Sequence, residues 1–251
     1  MARVIWDETP VDLAQAEALA RDLGAPLVIG RLLAQRGLAS LDEARAFLDP
    51  RLDQLHDPFR LAGMREAVDR LMGAIARRER VAIHGDYDVD GITSTVMLRR
   101  ALEMLGADVT HFVPERLRDG YGLQPATIDR LHAGGAQVIV SVDCGIRAAE
   151  AAGRARDLGI DLIITDHHEP EADLPPALAV INPKRADCAY PDKHLAGVGV
   201  ALKVVQALLQ TAGRGMELLP GFVKMAAIGT LADRKSTRLN SSHVSESRMP
   251  S

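Results

Sequence analysis

One histidine and three carboxylates, His84, Asp86, Asp88 and Asp90, fall within seven residues. They follow the short apolar run Val81-Ala82-Ile83 and precede a segment that reads as helix from near Thr93, so they sit at a strand-to-helix turn. Like charges at that density repel one another. The arrangement is tolerable when divalent cations neutralise it, because a bound metal then dominates the local charge. Two later segments repeat the design, Val138 to Asp143 and Leu162 to His168, each an apolar strand-like run ending in an acid or imidazole. Three strand ends carrying such groups imply one metal site. Carboxylates suit Mg2+ and Mn2+, imidazole beside them tips the balance towards Mn2+, and the set contains no cysteine pair of the kind zinc prefers. Two ions roughly 3.5–4 Å apart clamp the attacking and leaving oxygens of a phosphoryl displacement. The candidate ligands are His84, Asp88, Asp90, Asp143, His167 and Asp233, with Asp86, Asp166 and His168 in reserve.

The elements that must position these groups alternate. Strands are expected at 81–84, 108–113, 137–142, 161–165 and 178–181, and helices near 92–105, 124–133, 147–158, 197–211 and 219–231. Alternation of this kind predicts an α/β, doubly wound, mainly parallel sheet with helices on both faces. Ligands of such sheets bind beyond the carboxyl ends of the strands, where His84, Asp143 and His167 fall. Residues 1–75 read instead as a helical region capping the main domain. Apolar residues recur at helical spacing in Val11 to Leu23, Pro26 to Arg36 and Gly63 to Arg77, and Ser40 with Glu43 forms a capping-box start for a helix reaching Leu48. Residues 76–233 form the expected catalytic domain. The serine-rich stretch 234–251 has no hydrophobic period, is expected to be disordered and resembles a translated sequencing adapter; the natural chain is then expected to continue past Asp233, and His243 is no ligand.

Composition narrows the function. With 251 residues, 47% of them hydrophobic, the chain can bury a substantial core. Aromatic residues make up 3%, too few for an array of base-stacking rings, and a net charge of -4 confines any polyanion contact to local patches. Two cysteines, Cys144 and Cys188, suit a reducing compartment. No apolar run reaches the roughly 18 residues of a membrane span, so the expectation is a cytoplasmic protein with no membrane contact.

The ordered set Asp166-His167-His168, His84-x3-Asp88-x-Asp90 and the isolated Asp143 resembles the DHH phosphoesterase superfamily. Four stretches are similar to its single-stranded-DNA exonuclease branch: His84 to Gly91, Arg116 to Leu123, Ser141 to Gly145 and Leu195 to Ala201. The helical lead-in, at Leu32 to Gly37 and Leu55 to Phe59, is similar as well, so the likeness covers residues 20–233. It implies a two-Mn2+ phosphodiesterase, with Mg2+ as the alternative ion, that hydrolyses single-stranded DNA from 5′ to 3′ in recombination and repair. His84, Asp88 and Asp143 would hold one ion; Asp90, Asp143, His167 and Asp233 would hold the other, with Asp143 bridging. Asp88, Asp143 and His168 would be the catalytic groups, His168 contacting the scissile phosphate or positioning the attacking water. Arg116, Gly120 and Tyr121 would touch the DNA, as would Gly197 and Gly199 through backbone N–H groups near a helix start. The expected partners are single-stranded DNA, a helicase and a single-strand-binding protein, with the enzyme a monomer.

Plainer readings exist for several of these residues. Asp143 could cap the following helix, Asp86 reads more as an acid that forms the turn or supports the ligands than as a ligand itself, and Asp166 reads as an acceptor that orients His167. Asp233 rests mainly on the family likeness. Cys144 reads as a small buried residue rather than a nucleophile, because no histidine base adjoins it in sequence. Two other functions stay open: a phosphodiesterase of the same family acting on oligoribonucleotides, cyclic dinucleotides or pyrophosphate, and a non-catalytic scaffold that binds DNA or a helicase.

Overall fold

Five runs form strands: four are apolar, with β-branched side chains that pack well on a pleated surface buried from both sides, and the edge run Asp108–Phe112 is largely exposed. They are β1 (Arg80–Gly85), β2 (Asp108–Phe112), β3 (Val138–Val142), β4 (Asp161–Thr165) and β5 (Ala179–Ile181). The structure, a computed structural model, describes residues 10–115, 122–214 and 216–233. Within these the strands make one sheet in the order β2-β1-β3-β4-β5, every pair parallel. The register sets His84 beside Phe112 on one side and Ser141 on the other. The carboxyl ends of the two central strands therefore lie level.

Between the strands run α5 (Val89–Met104), α6 (Pro125–Ala133) and α7 (Ala149–Asp157), and α8 (Gly197–Thr211) and α9 (Leu219–Ala232) follow β5. The chain belongs to the doubly wound α/β class, with helices on both faces. One face packs Ala82, Ile139, Leu162 and Ile164 of the strands against Ile128 and Leu131 of α6 and Ala151, Ala152 and Ala155 of α7. By strand alternation the other face carries Val81, Ile83, Val140 and Ile163, all fully buried. Helices α5 and α8 pack on this side and on each other, and α9 packs on both. Gly229 makes the α9 approach possible, since a Cβ there would lie 2.4 Å from Thr93 Oγ1.

Two compact units divide between Leu55 and His56. The first holds α1 (Leu13–Leu23), α2 (Leu27–Gln35) and α3 (Leu41–Leu48). Asp12 caps α1 by accepting the N–H groups of Ala14 and Gln15, and Ser40 with Glu43 makes the reciprocal capping box of α3. Leu19, Leu33 and Ala44 form its small core. The second unit begins before α4 (Met64–Arg77), whose stripe of Met64, Ala67, Val68, Leu71 and Ala74 is buried where the helix packs on β5 and α8. The expected boundary near residue 75 placed α4 with the helical region. Its apolar stripe looks the same in sequence whichever unit it covers, and only the packing assigns it to the sheet. The 234–251 stretch lies outside the described residues.

Candidate metal and phosphate site

Three strand ends and two helix starts converge at the carboxyl edge of the sheet. His84 is the last side chain but one of β1 and is fully buried. Its ring stacks on Phe112 with centroids 5.8 Å apart, and among the described residues neither ring nitrogen makes a well-formed hydrogen bond. Burial pushes its pKa down to about 4, with the Gly122 backbone opposing the shift. The ring is therefore neutral at physiological pH, with a lone pair available.

Asp86 and Asp88 lie in the turn after β1, as expected, but α5 starts at Val89 rather than near Thr93 and takes Asp90 into the helix. Asp88 is its N-cap, accepting the Gly91 N–H at 3.0 Å, and Asp90 lies in its first turn, where the helix dipole favours negative charge. The turn is tight. A Cβ on Gly91 would lie 2.4 Å from the Asp86 carbonyl oxygen, so only glycine fits. Asp90 is buried and accepts two further N–H bonds, from Gly197 and Val198, each at 2.7 Å. Burial nevertheless raises its pKa, and Asp233 adds to the rise, while those N–H groups and His167 oppose it.

This corrects the expectation for Gly197. Its N–H is committed to Asp90 and is not open to a DNA phosphate. Its missing side chain serves another purpose, since a Cβ would lie 2.5 Å from Asp143 Oδ1. Gly199 instead abuts the Leu195 side chain. Arg116, Gly120 and Tyr121 lie outside the described residues.

Asp143 is the first residue past β3. Its backbone is left-handed, with φ 60°, a conformation that costs a non-glycine residue about 1–2 kcal/mol. Among the described residues its Oδ1 makes no hydrogen bond, although His167 Nε2 lies 3.2 Å away. Burial first, then the carboxylates of Asp90, Asp88 and Asp166, push its pKa up to about 10. His167 Nε2 also faces Asp90 Oδ2 at 3.7 Å and Asp233 Oδ2 at 3.8 Å. One nitrogen thus meets three carboxylates. Asp233 is the C-cap of α9.

Asp166 does not orient His167 through its ring, as expected; it holds His168. Its Oδ1 lies 2.8 Å from His168 Nδ1 and accepts the N–H groups of His167 and His168, while Oδ2 accepts that of Ile146. Although burial acts strongly the other way, these bonds and the His168 charge hold the Asp166 pKa below the usual carboxylate range. The Asp166 bond in turn raises the pKa of His168. Asn182 completes the frame. It is fully buried, donates to the His168 carbonyl at 2.8 Å and accepts the Lys184 N–H at 2.8 Å. Sequence reasoning missed it; the only signal was an Asn-Pro pair directly after β5. Cys144 is buried and its pKa raised, as suits an inert thiol.

Among the described residues three groups place potential ligand atoms within 4.8 Å of one another: Asp86, Asp88 and Asp143; Asp90, His167 and Asp233; and Asp143, His167 and His168. Asp143 belongs to two of them. Asp86 thus joins the first group, where a turn-forming or ligand-supporting role had been expected, and His84 stands outside all three. The donor set is oxygen-rich with imidazole and contains no thiolate, which suits Mn2+ or Mg2+. The unpartnered Asp143 Oδ1, the bare His84 nitrogens and the space left by Gly197 all fit divalent cations better than an empty cluster of acids.

A model of the DHH family, N-terminal domain, matches residues 80–230. The chain is 40% identical over 232 residues to the single-stranded-DNA-specific exonuclease RecJ of Bacillus subtilis (strain 168), covering 92% of this chain and 29% of that protein. It is 41% identical over 218 residues to the RecJ of Escherichia coli (strain K12), covering 83% of this chain and 37% of that one. Among solved structures it is similar to RecJ in complex with Mn2+ from Thermus thermophilus, with a TM-score of 0.73 and 32% identity over 88% of this chain and 31% of that one. The chain therefore spans less than a third of the length of the Bacillus relative. Since the family match begins at β1, ends within α9 and takes in every strand that carries a site residue, the chain belongs to the DHH family.

Proposed function

We propose that this chain carries the metal-bearing face of a 5′-to-3′ exonuclease that hydrolyses phosphodiester bonds of single-stranded DNA in recombination and repair. The observation that supports this most is Asp143. It is a strained, buried carboxylate with an unpartnered oxygen, shared between two groups of potential ligands. Asp86, Asp88 and Asp143 would hold one Mn2+ or Mg2+, with His84 beside them, and Asp90, His167 and Asp233 would hold a second. Cations bound there would offset the carboxylates and stabilise the negative charge that develops on the phosphoryl group.

The chain's own residues do the rest. Asp166 fixes the His168 ring through Nδ1 and raises its pKa, so His168 presents a proton to a phosphate oxygen. His84, neutral because it is buried, keeps its lone pair free. Asp90, braced by two backbone N–H groups of α8, ties the helix after β5 to the helix after β1. On this reading the partners are single-stranded DNA, a helicase that supplies it and a single-strand-binding protein that coats it. The enzyme acts as a monomer in the cytoplasm; no described helix is long and apolar enough to cross a membrane.

The test is a 5′-phosphorylated, 3′-labelled strand incubated with Mn2+ or with chelator, beside a blunt duplex, short oligoribonucleotides and a cyclic dinucleotide. Expected is Mn2+-dependent shortening of the single strand from its 5′ end, with the duplex intact. Turnover of the ribonucleotides alone would overturn the substrate assignment in favour of the small-substrate branch.

A further inference from the structure

Two cavities flank His168, and Arg147 and His168 line both. The larger, of about 350 Å3, is mostly apolar, with Leu123, Cys144, Ile146 and Ala148 in its wall. The smaller, of about 230 Å3, carries two cationic side chains, Arg147 and Lys184, which line it together with His167, His168, Glu169 and His194. Both cationic side chains already grip an acidic residue there. Lys184 Nζ lies 2.9 Å from Glu169 Oε1, and Arg147 Nε donates to the Glu169 carbonyl at 3.1 Å. The position of Lys184 is not casual, because the buried Asn182 side chain bonds both its N–H and the His168 carbonyl. The cleft and the metal-facing histidines are thereby built on one frame.

We propose that this cleft is a phosphate subsite, in which Arg147 and Lys184 bind the phosphate adjacent to the scissile one. The inference rests on the phosphodiesterase reading and extends it. A guanidinium matches phosphate oxygens with a planar fork, whereas a lysine serves as a point charge. The resident carboxylate is weakly held, since Glu169 is mostly exposed and exposed ion pairs contribute little. A phosphate carries its charge at the same place and displaces Glu169 from Lys184. The molecule's negative net charge gives this patch its value, as the cations adjoin the only metal-capable groups among the described residues.

The experiment compares Arg147→Ala, Lys184→Met and Glu169→Gln with the unsubstituted protein on two Mn2+-dependent substrates. One is an oligothymidylate; the other is bis(p-nitrophenyl) phosphate, which has a single phosphodiester and nothing to fill the cleft. Anisotropy of a labelled oligothymidylate, read with metal-free protein over a salt series, gives a second measure independent of turnover. Arg147→Ala and Lys184→Met should each lose about tenfold in kcat/KM on the oligonucleotide and less than twofold on the aryl ester. Each should flatten the slope of log affinity against log salt by about 0.7, the value for one phosphate contact on a single strand. Glu169→Gln should bind the oligonucleotide more tightly. Loss on both 5′-hydroxyl and 5′-phosphorylated strands assigns the cleft to an internal phosphate, and loss on the latter alone assigns it to the terminal one; either supports the subsite. Equal losses on both substrates, or an unchanged salt slope, would overturn it. An unsubstituted protein inactive on both substrates would sink the phosphodiesterase reading instead, while the salt slopes still reported on the cleft.

Discussion

Asp143 and Asp166 occupy matching places in neighbouring strands. Each is the first residue past its strand, each is buried, and each donates its N–H to the adjoining strand, to Thr165 at 2.9 Å and to Ile181 at 3.0 Å. Their ionisation nevertheless diverges. Asp166 is surrounded by donors and its pKa is held low, whereas Asp143 has an oxygen without a partner and its pKa is pushed up to about 10. Burial is the first influence on both. What separates them is the supply of hydrogen: His168 and three backbone N–H groups on one side, and three acids on the other. A carboxylate already satisfied by the protein positions its neighbours, and one left unsatisfied is open to a cation.

The contrast is broken most directly by substitution. Asp143→Ala should abolish Mn2+-dependent turnover of a single strand, a larger loss than the roughly 10- to 100-fold typical when a group that merely orients a ligand is removed. Asp166→Asn should fall within that smaller range. It should also lower the His168 pKa, so that the alkaline limb of the pH–rate profile moves towards acid. Measured side by side, equal losses for the two variants would mean that they do not divide the work as the hydrogen bonds suggest.

Addition of metal sharpens the same contrast. Ions that bind only the folded chain should stabilise it by about 2.7 kcal/mol at a hundredfold excess over the dissociation constant. Thermal melts with and without Mn2+ should show that shift in the unsubstituted protein and in Asp166→Asn, and not in Asp143→Ala. A shift that persists in Asp143→Ala would remove Asp143 from the ligand set.

Much of this was legible in the residues. The β-branched runs before His84, Asp143 and Asp166 marked three parallel strands, and the acids after them marked the edge where a ligand must lie. Local geometry was harder to read. Asp90 looks like a loop acid in sequence, yet a glycine that tolerates contact with the Asp86 backbone lets the helix begin at Val89, capped by Asp88. Gly197 has the pattern of a phosphate-binding turn, but its N–H is consumed by an acid 107 residues earlier, a partner that spacing cannot reveal. Asp166 stands next to His167 and one residue from His168, and only the folded turn decides which ring it holds. Asn182 carried only an Asn-Pro pair, and Lys184 no motif at all.

The smallest effect expected concerns pH without metal. A carboxyl whose folded pKa exceeds its unfolded value binds more protons in the native state throughout the interval between the two. Its contribution to stability is complete below the unfolded value near 4 and is lost as pH rises through the folded value, which for Asp143 is about 10. His84 works in the opposite sense over a lower window. Its pKa is depressed to about 4, so the unfolded chain binds the extra proton and stability recovers as pH rises from about 4 to 6.5. Above pH 7 the His84 contribution is constant and the Asp143 slope stands clear of it. In chelator, Asp143→Asn should therefore gain on the unsubstituted protein between pH 7 and 9, by at most about 1.4 kcal/mol per pH unit. The Asp90 pKa is raised for related reasons, and coupling between the two acids should reduce the observed figure. Saturating Mn2+ should reverse the order, because the asparagine variant lacks the ligand that repays the buried charge. Denaturant midpoints at three pH values, with and without Mn2+, read all of this in one series. A difference between the two proteins that does not change with pH in chelator would show that Asp143 ionises normally, and that the open oxygen is no more in need of a cation than any surface acid.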